Sequence, residues 1–508
     1  MSAVTAQNST SPGAPQGAAP GEKGLKSNAI GFVSSVVIGV ASTAPGYSLA
    51  ASLGFVVAIS GVGVQAPVIM IAAFIPMVLI ASGYYWLNRA DPDCGTTFSW
   101  ATRAMGPSIG WVGGWAIIVA DVIVMANLAQ IAGLYSFLLF GVDDASTFLV
   151  TLVGVAFILA MTWICAIGIE LNAKTQIGLL GAEIVTLALF AIVALVRVWT
   201  GDGIAASVDP SLSWFNPFEL GSVSALTSGV LIAVFIYWGW DTTVAVNEET
   251  TDTGETPGRA AITSTLILVL TYVIVTVAAI SFGGPDRLGK DESGDVLGLL
   301  ANDVFGSSLL GKLVIIAVLT SAAASCQTTI LPTARTALSM ARAKAIPSKL
   351  GEVSPQYLTP IFATWLMGAV SVIWYVGLTL ISENVLFDAI AALGLMIAFY
   401  YGLTGFACVV YYRRELLRSW RNLVFIGLAP LLGALMLTGV FVKSCIDLAD
   451  PANSESGDSW LGLGPPLVIG VGFLLLGVLL MGIWRLGGHP EFFGRRRETA
   501  DPALTVRL

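Results

Sequence analysis

The chain has 508 residues, of which 56% are apolar and only 11% charged. A mean hydropathy of +0.84 excludes an ordinary soluble globule and indicates a polytopic membrane protein. The formal net charge of −8 resides in loops and tails between apolar stretches, so the side on which each charge falls matters more than the total. The single histidine, His489, lies in the C-terminal tail. Cys94, Cys165, Cys326, Cys408 and Cys445 show no CxxC or metal-ligand spacing. An imidazole relay inside the membrane is therefore excluded, no cofactor is expected, and a proton carrier there has to be a carboxylate.

Residues 1–28 are rich in Ser, Ala, Pro and Gly and predict a flexible tail. Apolar segments long enough to cross a bilayer follow at 29–59 (span 1), 65–86 (span 2), 108–140 (span 3), 147–168 (span 4), 175–199 (span 5) and 222–247 (span 6). Six more lie at 260–282 (span 7), 310–333 (span 8), 360–381 (span 9), 385–411 (span 10), 422–442 (span 11) and 463–485 (span 12). Twelve crossings place both termini on one side. With that side cytoplasmic, most of the 24 basic residues fall inside, Arg335, Arg342 and Arg507 among them, and only Arg197, Arg287, Lys290, Lys312 and Lys443 fall outside. Acids such as Asp143, Asp202, Asp291, Glu292, Asp447 and Glu455 fall in the outer loops and read as a solvated surface.

Two spans are interrupted at mid-depth. Span 1 carries Gly39-Val-Ala41-Ser42-Thr43-Ala44-Pro45-Gly46, and span 6 carries Phe235-Ile-Tyr237-Trp238-Gly239-Trp240-Asp241. The two lie five spans apart. Because five is odd, a repeat beginning at span 6 enters from the opposite face, which predicts a five-plus-five inverted repeat of residues 29–200 and 222–412. That core, residues 29–412, is followed by accessory spans 11 and 12 in 413–486 and a cytoplasmic tail, 487–508. Glycine and proline can merely kink membrane helices, but paired interruptions at corresponding places in two halves mark a transporter's binding site.

Broken helices present amide donors at one edge and carbonyl acceptors at the other, which suit a carboxylate and an ammonium respectively. No Lys or Arg lies near the middle of a span, so a substrate carboxylate relies on helix ends and on hydroxyls such as Ser42, Thr43 and Thr242. An amine could also use the faces of Phe235, Tyr237, Trp238 and Trp240. The intramembrane acids are Asp121 in span 3, Glu183 in span 5 and Asp241 in span 6, with Asp388 nearer an interface. Such acids usually face a cavity, and the first three are candidates for reversible protonation. Asp241 has a second reading, as the cap of the lower half of span 6.

On these residues the chain resembles the amino acid–polyamine–organocation superfamily, in particular its bacterial amino acid permeases. The resemblance rests on the span 6 stretch followed by Glu248-Glu249 and Pro257-Gly258-Arg259. It rests also on Gly95-Thr-Thr-Phe98-Ser-Trp-Ala101-Thr-Arg103 with Gly106-Pro107, and on Gln327-Thr-Thr-Ile-Leu-Pro332 with Arg335 and Thr359-Pro360. It implies twelve helices, the inverted repeat, alternating access, and amino acids, polyamines or related amines as substrates. Phe235 matches an aromatic that covers substrate in relatives, and Asp241 falls where some relatives carry a glutamate tied to proton-dependent gating. Two features depart from the pattern: span 1 lacks a glycine-dense run, and Glu183 stands where several proton-dependent relatives carry a lysine.

The expected function is therefore secondary active transport of an amino acid or small amine across the cytoplasmic membrane, with no enzymatic activity. Substrate is expected between Ala41, Ser42, Thr43, Ala44 and Gly46 of span 1 and Phe235, Tyr237, Trp238, Gly239 and Asp241 of span 6. Proton symport through Asp241, Glu183 or Asp121 is expected. The alternatives are sodium coupling through Thr320, Ser321 and Ser325 of span 8, exchange of polyamines or amines, and a membrane sensor that keeps the fold without transporting.

Overall fold

Residues 22–142, 144–290, 295–306, 308–454 and 456–499 are described by a computed structural model. The tail through residue 21, the loop acids Asp143, Asp291, Glu292 and Glu455, and Arg507 lie outside the described residues. Eleven helices among those described are long and apolar enough to cross a bilayer. The remaining crossing, span 6, misses that length because it is divided into Val223–Ile236 and Thr242–Ala245. The protein is an all-α polytopic membrane protein in which spans 1 and 6 are broken.

Span 1 divides into Phe32–Ser42 and Pro45–Ala58. Ala44 adopts left-handed dihedrals (φ 47°, ψ 65°), and Pro45 opens the second piece, where its missing N–H costs nothing and its fixed φ suits a helix start. In span 6 the turn passes through Gly239 at φ +115°, a conformation that a side chain strongly disfavours. Spans 2 to 5 run over Ala66–Ala90, Pro107–Leu139, Thr147–Ile167 and Ile169–Thr200. Spans 7 to 10 run over Thr256–Gly283, Ser308–Arg342, Ile361–Ile381 and Glu383–Tyr411. Ala429–Asp447 and Pro465–Leu486 form most of spans 11 and 12.

Spans 1, 3, 6, 8 and 10 form the interior, with span 1 packed against spans 5, 7 and 8 and span 3 against spans 8 and 10. Spans 4, 5, 9, 11 and 12 surround them and expose Leu152, Val185, Ile373, Leu435 and Leu475. Such an outer surface belongs against hydrocarbon rather than water.

Three features go beyond the sequence reading. A short helix, Thr97–Met105, joins spans 2 and 3 and buries Phe98 and Trp100. Val296–Phe305 forms a helix in the long outer connection. Span 8 continues past the expected residue 333 to Arg342, so Arg335 sits on a helix inside the protein and not in an inner loop. It can be buried there because its guanidinium donates to both carboxylate oxygens of Glu249, at 2.6 and 3.0 Å.

The chain is ordered upstream of span 1. Leu25 is buried, and Ala29 and Ile30 donate to the Glu249 carbonyl. At the other end Phe492 is buried and stacks on Phe98, with ring centroids 5.6 Å apart.

Candidate transport site

The two interruptions meet. The Ser42 and Thr242 hydroxyls are 2.9 Å apart, joining residues 200 positions apart in the sequence. A Cβ at position 239 would stand 2.7 Å from the Ser42 carbonyl oxygen, so glycine is required by contact as well as by dihedral. Span 8 completes the junction, since the Ser325 hydroxyl donates to that same carbonyl at 2.9 Å.

Beside the junction lies a cavity of about 10 Å³ lined by Ser42, Thr43, Ala44, Tyr47, Ser48, Val124, Leu128, Phe235, Trp238 and Ser325. A second cavity of about 460 Å³ opens toward the end of the bundle where span 1 finishes and span 6 begins, and Phe235 lines both. Phe235 therefore stands between the wider chamber and the smaller one, its ring set edge-on to Tyr47 at 6.3 Å. Tyr47 is fully enclosed, and its hydroxyl has no hydrogen-bond partner among the described residues. A buried hydroxyl of this kind is costly unless something else engages it.

The amide donors of the second half of span 1 are already committed. Pro45 has none, Gly46 donates to Glu183 Oε1 at 2.6 Å, Tyr47 donates to the Ser321 hydroxyl at 3.1 Å, and Ser48 donates to the Ala44 carbonyl at 2.7 Å. Glu183, which is not among the residues lining the small cavity, thus caps this half-helix from span 5. Its other oxygen, Oε2, is buried with no hydrogen-bond partner among the described residues.

Asp241 stands at the N-cap position of Thr242–Ala245, but its side chain makes no capping bond. It accepts instead from the hydroxyls of Tyr401 at 2.8 Å and Tyr400 at 3.2 Å, both on span 10. The Trp238 indole N–H donates to Tyr400. A hydrogen-bonded chain therefore runs from the lining of the small cavity through Trp238 and Tyr400 to Asp241. Asp121 accepts from Thr333 at 2.8 Å and ties span 3 to span 8.

Of the expected substrate residues, the small cavity gathers Ser42, Thr43, Ala44, Phe235 and Trp238. Ala41 and Gly46 lie on the break without lining it, and Gly239 is the contact point between the breaks. Tyr237 turns the other way, donating to the Met70 carbonyl at 2.9 Å beside Phe74 and Tyr272. Thr320 bonds back to Ile316 and Ala317 of its own helix, whereas Ser321 and Ser325 bond to the span 1 break. Tyr47, Tyr400 and Tyr401 are not singled out by spacing. The available signal was a tyrosine directly after the span 1 break and a tyrosine pair inside apolar span 10.

The end of the bundle opposite the wide cavity is shut by ion pairs. Lys23 Nζ lies 2.8 Å from Asp93, 2.7 Å from Glu248 and 3.7 Å from the Cys94 sulfur. The ligand atoms of Asp93, Cys94 and Glu248 lie within 4.8 Å of one another, and the ammonium sits between the two carboxylates and offsets one of their two charges. Burial pushes the Asp93 carboxyl up, but Lys23, Ser339 and the Gly95 amide hold it down at about 2. Behind this layer sits the Arg335–Glu249 pair, 1% and 0% exposed.

A bundle of membrane helices in which two broken segments meet around a small polar chamber is the architecture of a transporter. The sequence matches the amino acid permease family over residues 27–474, and the chain belongs to that family. An uncharacterized transporter of Mycobacterium tuberculosis is 28% identical over 345 residues, 67% of this chain and 72% of the relative. A branched-chain amino acid permease of Lactococcus lactis is 25% identical over 217 residues, 40% of this chain and 45% of its own length. A vacuolar cationic amino acid transporter of Arabidopsis thaliana is 24% identical over 350 residues, 63% of this chain and 54% of its own length.

Proposed function

We propose that the protein carries neutral amino acids across the cytoplasmic membrane by alternating access, coupled to protons, with both termini in the cytoplasm. The observation that carries this reading is the meeting of the two breaks at Ser42, Thr242 and Gly239. The residues lining the small cavity are hydroxyls, aliphatic groups and aromatic rings, and none is a carboxylate or a basic side chain. At about 10 Å³ the cavity has room for no more than a water molecule in this conformation, so substrate enters only as the half-helices part, and a lining without charge then suits an uncharged side chain better than a cationic one. Tyr47, whose hydroxyl has no partner among the described residues, supplies the donor for the substrate's carboxylate, since the Thr43 and Ser48 hydroxyls already donate to the Val40 and Thr43 carbonyls, and Phe235 closes over the substrate.

Glu183 and Asp241 are the coupling groups in this reading. A charged Glu183 holds the Gly46 N–H by a charge-assisted bond at a helix N-terminus, and protonation weakens that hold on the second half of span 1. Asp241 acts on the chamber through Tyr400 and Trp238. Asp121 links spans 3 and 8 and is the third candidate. Sodium is the alternative ion, favoured by Glu183 Oε2, without a partner among the described residues, and by the Ser321 hydroxyl, both residues lying beside the span 1 break. The inverted repeat, 29–200 and 222–412, supplies the two moving halves, with spans 11 and 12 outside it.

The test uses purified protein in liposomes. Glu183→Gln and Asp241→Asn are expected to reduce proton-driven accumulation by about tenfold or more while substrate binding changes by less than about threefold. Unaltered proton-driven uptake in either variant removes that residue from the coupling role. A sodium requirement that vanishes in Glu183→Gln would transfer the role to sodium.

A further inference from the structure

We infer that the wide cavity is a second, outer binding site for zwitterionic amino acids, built by span 11 and occupied before the substrate passes Phe235. The inference rests on the transport reading above and adds a site to it. The cavity, about 460 Å³, is within the usual range for small-molecule sites. Phe55, Ile232 and Phe235 are among its apolar walls, and Lys443, Asp447 and Asn453 bring polar groups to it.

Lys443 and Asp447 form an ion pair one helical turn apart, with the ammonium 2.5 Å from both carboxylate oxygens. They are 45% and 30% exposed, so the pair is accessible to a solute. A simple ion entering this cavity gains from one of these charges and loses to the other. An amino acid carries both charges on one carbon and can engage both, its carboxylate at Lys443 and its ammonium at Asp447. The exchange replaces one ion pair by two with little net change in charge. The ammonium is favoured further by the C-terminal end of span 11 at Asp447, where the helix presents carbonyl oxygens. Asn453, which donates to the Asp447 carbonyl at 2.9 Å, steadies that helix end. The side chain of the amino acid then points down to the apolar wall that leads to Phe235.

The experiment compares the two membrane faces, using each of the twenty radiolabelled amino acids as probe in intact cells for the outer face and in inside-out vesicles for the inner. Lys443→Gln and Asp447→Asn are expected to raise the outer-face KM about 3- to 10-fold, with the maximal rate altered much less. The inner-face KM should stay within about 2-fold of the parent value. Lys443→Arg should restore the outer-face KM, and the double variant should cost no more than the worse single one, because the two groups act as a unit. Lys312→Gln removes a charge expected on the same face but outside the cavity, and it should change nothing. The inference is overturned if neither variant changes the outer-face KM, if both faces shift together, or if Lys312→Gln gives the same shift. If the parent protein moves none of the twenty amino acids, the transport reading fails and this inference falls with it. Parent transport with an unchanged KM in the variants refutes the outer site alone.

Discussion

At the scale of single residues, the site depends on a few positions that admit one side chain. Gly239 meets the Ser42 carbonyl and holds φ +115°, so Gly239→Ala must separate the two breaks. It is expected to abolish transport and to lower stability by about 1–3 kcal/mol, measured as a fall in the melting temperature of the detergent-solubilised protein. The Tyr47 hydroxyl is dispensable for the fold because it has no protein partner among the described residues. Tyr47→Phe should therefore keep or raise the melting temperature and weaken substrate binding by about 1 kcal/mol, the usual worth of a hydrogen bond. The break at Asp241 was legible from the sequence because an acid and a glycine inside an apolar run demand an explanation. The side chain's partners were not legible, since Tyr400 and Tyr401 reach it from a span about 160 residues later. Tyr237 shows the same limit: its place beside Trp238 gave no sign that it turns toward Met70.

At the scale of elements, the segment before span 1 acts as a strap across the end of the bundle opposite the wide cavity. It joins Lys23 to Asp93 and Glu248 and pairs Ile30 with Thr250. Opening that end requires the strap to leave, and Cys94, buried beneath it, reports the event. Lys23→Gln is expected to speed maleimide labelling of Cys94 by about 5-fold, as loss of roughly 1 kcal/mol of part-buried ion pairing implies. Peptide-resolved mass spectrometry measures the rate, and labelling no faster than in the parent protein would show that the strap does not gate that end. Because Asp93 is held at about 2, below its ordinary value, its contribution is present above the ordinary carboxylate range and is lost only as pH falls through about 2. Labelling of Cys94 should accordingly show no dependence on this group between about pH 5 and 8. Residues 22–28 were not legible as packed, because the burial of Leu25 and the pairing of Lys23 depend on loops that these residues do not themselves encode.

At the scale of the whole molecule, hydropathy placed the crossings well, including the division of spans 1 and 6, because lipid imposes its length on each helix and tolerates a break only inside protein. It placed the end of span 8 poorly. Arg335 looks like the close of a membrane helix, yet its pairing with Glu249 lets the helix continue to Arg342. The reading that follows for the molecule is a carrier whose two broken helices hold an amino acid between them and whose buried carboxylates couple its movement to protons. The most direct measurement is uptake of radiolabelled neutral amino acids into liposomes containing the purified protein, with an inwardly directed proton gradient. Saturable accumulation above equilibrium that a protonophore collapses is expected; binding without flux, or accumulation indifferent to the proton gradient, would rule out a proton-coupled carrier.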